Sequence, residues 1–312
     1  MVGHHGLGSL DACSPPPHNR GVPTTETTWG EAAAAVTARL AAAGIEEAAV
    51  EAALLLAHVV GANRTLVQLY RERRLTAAQA AELAALTRRR VTRLPLAYVL
   101  GHQEFLGLDF AVDPRALVPR WDTEALVERA VELLGGQPEP WAADIGTGSG
   151  AIAVSLAVRL PAARVWASDR SAEAIELAAD NGRRLGVGAR LTWLQGDLAQ
   201  PLLDLGLAGR LAALLANLPY IPSAQIAELA PEVRDFEPRR ALDGGPDGLD
   251  LVRRLAPQAA ELLAPGGFAL FECGDGQTDP VAAILEGVGL CGDEVVADWG
   301  GRPRGVLRYK PS

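Results

Sequence analysis

Apolar positions recur with two different periods along the chain, and the change of period divides the sequence. Between about residues 28 and 94, apolar side chains recur every three to four positions, as Val50, Leu54 and Leu55 do, which is typical of amphipathic helices. From Trp141 to near residue 290, short strand-like runs alternate with helix-like runs. This order predicts a small helical domain followed by an α/β domain with a mainly parallel sheet.

Local signals mark where the helical runs begin and end. Capping-box patterns, Thr-x-x-Glu and Thr-x-x-Gln, begin at Thr28 and Thr76, each directly before a helical run. Gly61 stops the run between them, and Pro95 ends the helical region. These signals predict compact helices with defined ends.

The chain is predicted to have four parts. Residues 1–27 carry a proline triplet and bury little, so we expect a disordered N-terminal extension. Residues 28–94 form the helical domain. Residues 95–118 contain apolar side chains in partial alternation, which predicts a β-hairpin linker. Residues 119–312 form the α/β domain.

Composition narrows the class of protein. Hydrophobic residues make up 49% of the 312 residues, enough for a substantial core. The longest apolar runs fall well short of the roughly 18 to 20 residues that span a bilayer, and the N-terminal stretch lacks the apolar centre of a secretory signal. We therefore expect a cytoplasmic globular protein. Cys13, Cys273 and Cys291 have no paired or metal-like spacing, so we expect reduced thiols and no metal site.

The net charge of the chain indicates whether nucleic acid is a suitable partner. The formal net charge of −9 disfavours a partner that is held mainly through phosphates. One basic cluster is present, formed by Arg88, Arg89, Arg90 and Arg93. Such a run on a polar helix face is more often solvated than bound to RNA, so nucleic acid is not expected as the main partner.

A glycine-rich loop lies between a predicted strand, Trp141 to Ile145, and a predicted helix, Ala151 to Leu160. Glycines at alternate positions let the backbone approach a ligand closely, and the start of the helix offers free N–H groups. The loop therefore predicts a site for a nucleotide-like cofactor. Its residues are Gly146, Thr147, Gly148, Ser149 and Gly150.

The identity of the cofactor depends on the residues around this loop. Gly146, Gly148 and Ala151 also match the dinucleotide fingerprint, which leaves NAD open. Asp144, two residues before the first glycine, would face a pyrophosphate unfavourably but can pair with the ammonium group of a methionine moiety. This favours S-adenosylmethionine. The alternative for Asp144 is that it braces the loop.

Two further carboxylates follow the next predicted strands. Asp169 directly follows the predicted strand Arg164 to Ser168. At this position its carboxylate can accept hydrogen bonds from both ribose hydroxyls. Asp197 follows a third strand and can accept from an adenine amino group, while Leu198 can pack on the adenine ring. Because Gly-Asp is also an ordinary turn, the assignment of Asp197 stays open.

The tetrapeptide Asn217-Leu218-Pro219-Tyr220 supplies the predicted catalytic residues. Asn217 Oδ1 can accept one N–H of a planar nitrogen and the Leu218 carbonyl the other, which would aim that nitrogen at a methyl group. Pro219 stiffens the turn, and Tyr220 can stack on the target plane. The alternative is a strand-ending turn with Tyr220 in the core.

Several ordered segments of the chain closely resemble bacterial protein-(glutamine-N5) methyltransferases of the PrmC/HemK type, which act on peptide-chain release factors. These segments are Pro95–Gly101, Glu104–Gly107, Val118–Glu124, Phe236–Pro238, Ala241–Gly245 and Asp247–Leu249. The resemblance covers roughly residues 30 to 310. The residues that match the family's cofactor site are Gly146 to Gly150, Asp169, Asp197, Leu198 and Asn217.

The resemblance implies a fold, a cofactor and a substrate. The fold is an α/β, class I S-adenosylmethionine-dependent methyltransferase with a Rossmann-like seven-stranded sheet, whose last pair of strands is antiparallel. The cofactor is S-adenosyl-L-methionine, and the reaction is methylation of the glutamine in the Gly-Gly-Gln (GGQ) loop of release factors. The helical domain, residues 28–94, is expected to help dock the protein substrate.

The chain departs from the family's pattern at three residues, and the first of these departures widens the alternatives. Leu218 replaces the first proline of the usual Asn-Pro-Pro-Tyr turn, but the expected contact there is a backbone carbonyl, so we expect activity to survive. Trp121 stands where proline is common, and Cys273 is expected to be a small buried thiol.

Two other functions stay open at the level of the sequence. Asn-Leu-Pro-Tyr is also similar to the turn of ribosomal-RNA adenine dimethyltransferases. One alternative is therefore an N-methyltransferase that acts on another protein glutamine or on an RNA or DNA adenine amino group. The other is a non-catalytic or NAD-dependent protein.

Overall fold

The computed structural model of the protein describes residues 24–312, which divide into two compact units after Leu100. The first unit consists of helices and one antiparallel pair of strands, β1 and β2. Its elements are β1 (Thr24–Thr28), α1 (Trp29–Ala42), α2 (Ala48–Val60), α3 (Arg64–Leu69), β2 (Arg74–Thr76), α4 (Ala77–Arg90) and α5 (Leu96–Leu100).

Both predicted capping boxes are confirmed. The backbone N–H of Thr28 donates to Glu31 Oε2 at 2.8 Å, and that of Thr76 donates to Gln79 Oε1 at 3.0 Å. Each threonine hydroxyl oxygen accepts the backbone N–H three residues on, so two unpaired donors are satisfied at each helix start. Gly61 ends α2 in the left-handed region with φ 65°, as predicted.

The start of the described chain differs from the sequence interpretation. Residues 24–27, expected to be disordered, form part of β1, which pairs with β2. The remainder of the expected extension, including Cys13, lies outside the described residues.

The arginine cluster at the end of α4 is not simply a solvated helix face, as the sequence predicted. Arg90 is buried and forms two hydrogen bonds to the Glu51 carboxylate, at 2.6 and 3.0 Å. Arg89 donates to the backbone carbonyls of Val99 and Tyr98, both at 3.0 Å. The interpretation as a solvated run is therefore wrong for Arg90, because its partner lies on another helix that the local pattern does not show.

The second unit begins with an antiparallel hairpin of β3 and β4, inside the predicted β-hairpin linker, residues 95–118. The start of that linker differs from the prediction, because Leu96–Leu100 forms the helix α5 of the first unit directly after Pro95. A proline that would end a helix in its interior is tolerated where a helix begins. The elements of the second unit are β3 (His102–Phe105), β4 (Leu108–Ala111), α6 (Trp121–Leu134), β5 (Trp141–Ile145), α7 (Ala151–Arg159), β6 (Arg164–Asp169), α8 (Ala172–Arg184), β7 (Leu191–Gln195), α9 (Gln200–Asp204), β8 (Leu211–Ala216), α10 (Pro231–Phe236), α11 (Asp250–Leu262), β9 (Leu263–Glu272), α12 (Thr278–Gly287), β10 (Cys291–Ala297) and β11 (Pro303–Tyr309).

A seven-stranded sheet organises this unit, in the order β10-β11-β9-β8-β5-β6-β7. Strands β5 to β9 are parallel, and β11 is antiparallel to both of its neighbours. Ile145 at the end of β5 pairs with Ala216 at the end of β8. The chain turns to opposite sides after these two strands, so their carboxyl ends form the crevice where ligands bind in open α/β sheets.

The core of the second unit lies between the sheet and its helices. One hydrophobic cluster draws on β5, β8, β9 and one face of α11, which buries Val252, Leu255 and Leu262. Ala142 and Ala143 in the middle of β5 are fully buried. Among residues 24–312, no helix combines the length and the apolar character that a membrane crossing requires.

Candidate active site

The glycine loop and the Asn-Leu-Pro-Tyr turn lie in contact at the carboxyl ends of β5 and β8. Gly146 has φ 77°, and a β-carbon placed on it would lie 3.0 Å from Leu218 Cδ2. The Leu218 side chain is buried. The loop therefore packs on the turn through a leucine methyl group, at a residue where only glycine leaves room.

Backbone hydrogen bonds hold the glycine loop in place. The N–H groups of Gly146 and Thr147 both donate to the carbonyl of Ser168, at 2.8 and 3.0 Å. The N–H of Gly148 donates to Asp169 Oδ2 at 3.0 Å. Three hydrogen bonds therefore tie the loop to the end of β6.

An open cleft lies over this loop, and most of the predicted site residues line it. Asp144, Gly150 and Tyr220 do not line it. The predicted residues that do are Gly146, Thr147, Gly148, Ser149, Asp169, Asp197, Leu198, Asn217, Leu218 and Pro219.

Asp144 is enclosed beneath the loop, with 0% of its surface exposed. Its Oδ2 accepts hydrogen bonds from Thr147 Oγ1 at 2.6 Å and from the Ala153 N–H at 3.1 Å. Burial raises the pKa of Asp144 to about 7, against the opposing effect of these two donors. Of the two interpretations that the sequence leaves open, this geometry supports the brace.

The Asp169 carboxylate is positioned by the backbone on both of its oxygens. Besides the Gly148 contact, its Oδ1 accepts from the Ser171 N–H at 2.8 Å. Each carboxylate oxygen can accept a further hydrogen bond, so Asp169 keeps acceptor capacity toward the cleft.

Asp197 and Leu198 form the rim of the cleft beyond β7. Asp197 is exposed and forms an ion pair with Arg254. Leu198 adopts the left-handed conformation with φ 52°, and its carbonyl accepts from Ser168 Oγ at 2.7 Å. Non-glycine residues seldom adopt this conformation, and they cluster at ligand sites when they do.

The Asn217 side chain is held by a chain of two hydrogen bonds. Asn217 Nδ2 donates to Thr123 Oγ1 at 3.0 Å, and Thr123 Oγ1 donates to Glu272 Oε2 at 2.6 Å. The exposed fractions of Thr123 and Glu272 are 4% and 2%. The sequence assigned no role to either residue, although Thr123 lies in the segment Val118–Glu124 that resembles the family and Glu272 directly precedes Cys273.

Glu272 carries a perturbed carboxyl group. Its pKa is raised to about 7, mainly because burial penalises the charged form; the nearby charge of Asp122 acts in the same direction. The Thr123 hydroxyl and the guanidinium groups of Arg304 and Arg120 oppose the shift. This carboxyl group is therefore poised to change its charge near neutral pH.

Tyr220 lies on the β9 side of the turn rather than on the cleft. A β-carbon on Gly274 would lie 3.2 Å from Tyr220 Cδ2, and the Tyr220 carbonyl accepts from Gln277 Nε2 at 2.9 Å. Burial raises the pKa of its phenol, so Tyr220 stays neutral. Its predicted stacking on a target plane stays a prediction.

Arg120 and Glu237 form a clamp at the edge of the cleft. Arg120 Nη2 lies 2.7 and 2.8 Å from the two oxygens of Glu237, whose side chain is buried. The clamp ties the segment before α6 to the end of α10.

Neighbouring Trp121 is 69% exposed. Cys273 is buried, which confirms the predicted small buried thiol, and burial raises its pKa to about 12.

Both the helical part and the α/β part of the chain are similar to known methyltransferases. Residues 31–101 match the family model of the PrmC N-terminal domain, and residues 142–236 match that of a methyltransferase domain. The release factor glutamine methyltransferase of Moorella thermoacetica is 46% identical over 273 residues, which are 87% of this chain and 95% of that protein. That of Geobacter sulfurreducens is 44% identical over 255 residues, which are 81% of this chain and 86% of that protein.

Among solved structures, the chain is similar to the hMettl16 catalytic domain in complex with MAT2A 3′UTR hairpin 6. The TM-score is 0.51 at 14% identity, over 77% of this chain and 84% of that one. At this identity the likeness concerns the fold alone.

Proposed function

The chain belongs to the release factor glutamine methyltransferase family, and on that premise we propose that it methylates the glutamine in the GGQ loop of peptide-chain release factors. The observation that carries the proposal is the Asn217-Leu218-Pro219 turn beside the glycine loop. Asn217 Nδ2 is engaged by Thr123, and the described residues give Asn217 Oδ1 no donor. A carbonyl oxygen is thereby available for an N–H of an incoming amide.

The protein is a class I methyltransferase, and its family uses S-adenosyl-L-methionine. The cleft suits this cofactor: Gly146 and Gly148 keep its floor free of side chains, and two carboxylates lie on its rim. We assign the ribose hydroxyls to Asp169, the adenine amino group to Asp197 and one face of adenine to Leu198. When bound, the cofactor supplies an electrophilic methyl group on a sulfonium.

The protein's own task is to prepare the amide nitrogen. An amide nitrogen is a poor nucleophile because its lone pair is delocalised into the carbonyl, so the enzyme gains rate by stabilising the positive charge that develops on it. Asn217 Oδ1 and the Leu218 carbonyl each accept one N–H, which aims the nitrogen in line with the methyl group.

The reaction balances without a dedicated base. With the cofactor bound, a nitrogen–carbon bond would form as a sulfur–carbon bond breaks, and the electron pair of the broken bond would stay on sulfur. The cationic amide that results is acidic enough to lose its proton to water. No carboxylate of the site has to accept that proton.

The proposed substrate also implies a docking surface and a location. The helical unit is assigned to docking of the release factor, and the cytoplasm, where translation terminates, is the location that the proposal requires. Family membership sets aside the NAD interpretation. Another protein glutamine, or an adenine amino group of RNA or DNA, remains the second substrate class.

The proposal is tested by incubating the protein with S-adenosyl-L-methionine and a purified release factor, followed by mass spectrometry of the GGQ peptide. We expect a gain of one methyl group, about 14 mass units, on the glutamine. A release factor with alanine at that glutamine is the matched control. Methylation of structured RNA but not of the release factor would replace the proposed substrate.

A further inference from the structure

We propose that Thr123 and Glu272 are positioning residues, which hold the Asn217 carboxamide so that its Oδ1, and not its Nδ2, faces the acceptor nitrogen. The inference rests on the proposed function, because it concerns how that nitrogen is held. The family resemblance and the comparisons assign neither residue a role.

The direction of the hydrogen bonds follows from counting protons. An ionised Glu272 carboxylate can only accept, so the single hydroxyl proton of Thr123 goes to Glu272 Oε2, at 2.6 Å. The Thr123 oxygen is then left as an acceptor, and it receives Asn217 Nδ2 at 3.0 Å. A reversed carboxamide would set Asn217 Oδ1 against the Thr123 oxygen with no proton between them.

The three side chains come from three elements that only the fold brings together. Ala216 of β8 pairs with Phe271 of β9, so the residues that follow them, Asn217 and Glu272, leave adjacent strands side by side. Thr123 reaches both from the first turn of α6. Because Thr123 and Glu272 are buried, water cannot replace either partner, and the hydrogen bonds are strong in this environment.

The charges that surround Glu272 are of both signs. Asp122 on α6 raises its pKa, whereas Arg304 on β11 and Arg120 lower it. Arg304 is in turn shared among carboxylates of three segments: Asp122 at 3.3 Å, Asp275 at 3.4 Å and Asp298 at 3.5 Å. The neutral phenol of Tyr220 and the neutral thiol of Cys273 complete the surroundings.

Protonation of Glu272 would reverse the chain of hydrogen bonds. A protonated carboxyl group can donate to Thr123, whose own proton is then free to go to Asn217 Oδ1. The carboxamide loses its orientation, and the acceptor nitrogen meets a donor where it needs an oxygen. Methyl transfer should therefore fall in acid, through the pKa of Glu272 near 7.

The first test compares Thr123→Val with Thr123→Ser in single-turnover methylation of a release factor. Valine keeps the shape and removes the hydroxyl, so we expect transfer to slow by about 30- to 100-fold. Serine keeps the hydroxyl and should stay within about threefold of the wild type. Cofactor affinity, measured by calorimetry, should stay unchanged in both. A valine variant that transfers as fast as the wild type would overturn the proposal.

A second test follows pH. Glu272→Gln retains an acceptor for Thr123 but cannot be protonated, so the acid limb of the wild-type rate profile should disappear in this variant. A profile that keeps its acid limb in Glu272→Gln would show that another group titrates, and would reject this role of Glu272.

A third measurement does not require turnover. The chain has four asparagines, so labelling asparagine with ¹⁵N yields few side-chain NH₂ signals, and the Asn217 pair is identified by its loss in Asn217→Asp. That pair should shift with pH in the wild type and not in Glu272→Gln. If the wild type methylates no release factor, the proposed function fails, while this titration still decides the orientation.

Discussion

Leu218 Cδ2 occupies the space into which a side chain at Gly146 would point: a β-carbon there would lie 3.0 Å from it. The contact joins the cofactor loop to the turn that holds the acceptor nitrogen. In a methyltransferase these two groups must be placed within a fraction of an ångström, and a packed contact sets their spacing without any ligand.

Gly146→Ala should destabilise the protein more than Gly148→Ala. Both residues have positive φ, which costs an alanine about 1 to 2 kcal/mol, but a β-carbon at 148 meets nothing closer than Ala116 Cβ at 3.8 Å. Urea unfolding without cofactor measures the difference. Leu218→Ala should relieve part of the loss in a double mutant; strictly additive effects would show that the contact is not the cause.

Leu218→Pro should preserve turnover but lower stability. From the sequence we expect activity to tolerate either residue at position 218, because the expected contact with substrate there is a backbone carbonyl. The buried leucine, however, packs on the loop, and its loss should cost about 1 to 2 kcal/mol of unfolding free energy. Thermal unfolding and kcat measured on the same variant separate the two effects. Unchanged stability with reduced kcat would contradict this expectation.

Asn217→Ala and Asp169→Ala should separate catalysis from cofactor binding. Loss of the Asn217 acceptor should lower kcat about 100-fold and leave cofactor affinity nearly intact. Loss of Asp169 frees the Gly148 and Ser171 N–H groups and should weaken cofactor binding about 10- to 100-fold. Calorimetry and initial rates distinguish them. Asp169→Asn, which keeps one acceptor oxygen, should lie between.

The buried carboxyl group of Asp144 predicts a dependence of stability on pH. Its folded pKa, about 7, lies above its ordinary value of 3.8. The folded state therefore binds this proton more tightly, and the contribution is fully present below about pH 4 and lost as pH rises through 7. Asp144→Asn should flatten that dependence, by up to a few kcal/mol between pH 5.5 and 8.5.

Urea unfolding of the wild type and Asp144→Asn at both pH values gives the comparison. Glu272 titrates in the same range in both proteins and cancels in the difference. Equal pH dependence in the two proteins would mean that Asp144 is ionised throughout.

The ends of several helices and the strand before the glycine loop depend on local interactions, so they could be predicted from the sequence alone. The capping boxes at Thr28 and Thr76, the end of α2 at Gly61 and the strand that leads into Gly146 depend on residues a few positions apart. Backbone φ preferences and the capping of unpaired helix N–H groups act over the same short range, so neighbouring residues in the sequence are enough to predict these features.

Only the tertiary structure decided which distant side chains meet. The sequence offered Arg90 as a solvated cation, and Glu51 holds it in the core. It also left Thr123 and Glu272 without a role, although they lie 149 residues apart in one hydrogen-bonded chain with Asn217. Burial and hydrogen bonding between strand ends depend on the whole sheet, and no local pattern encodes which polar group faces which.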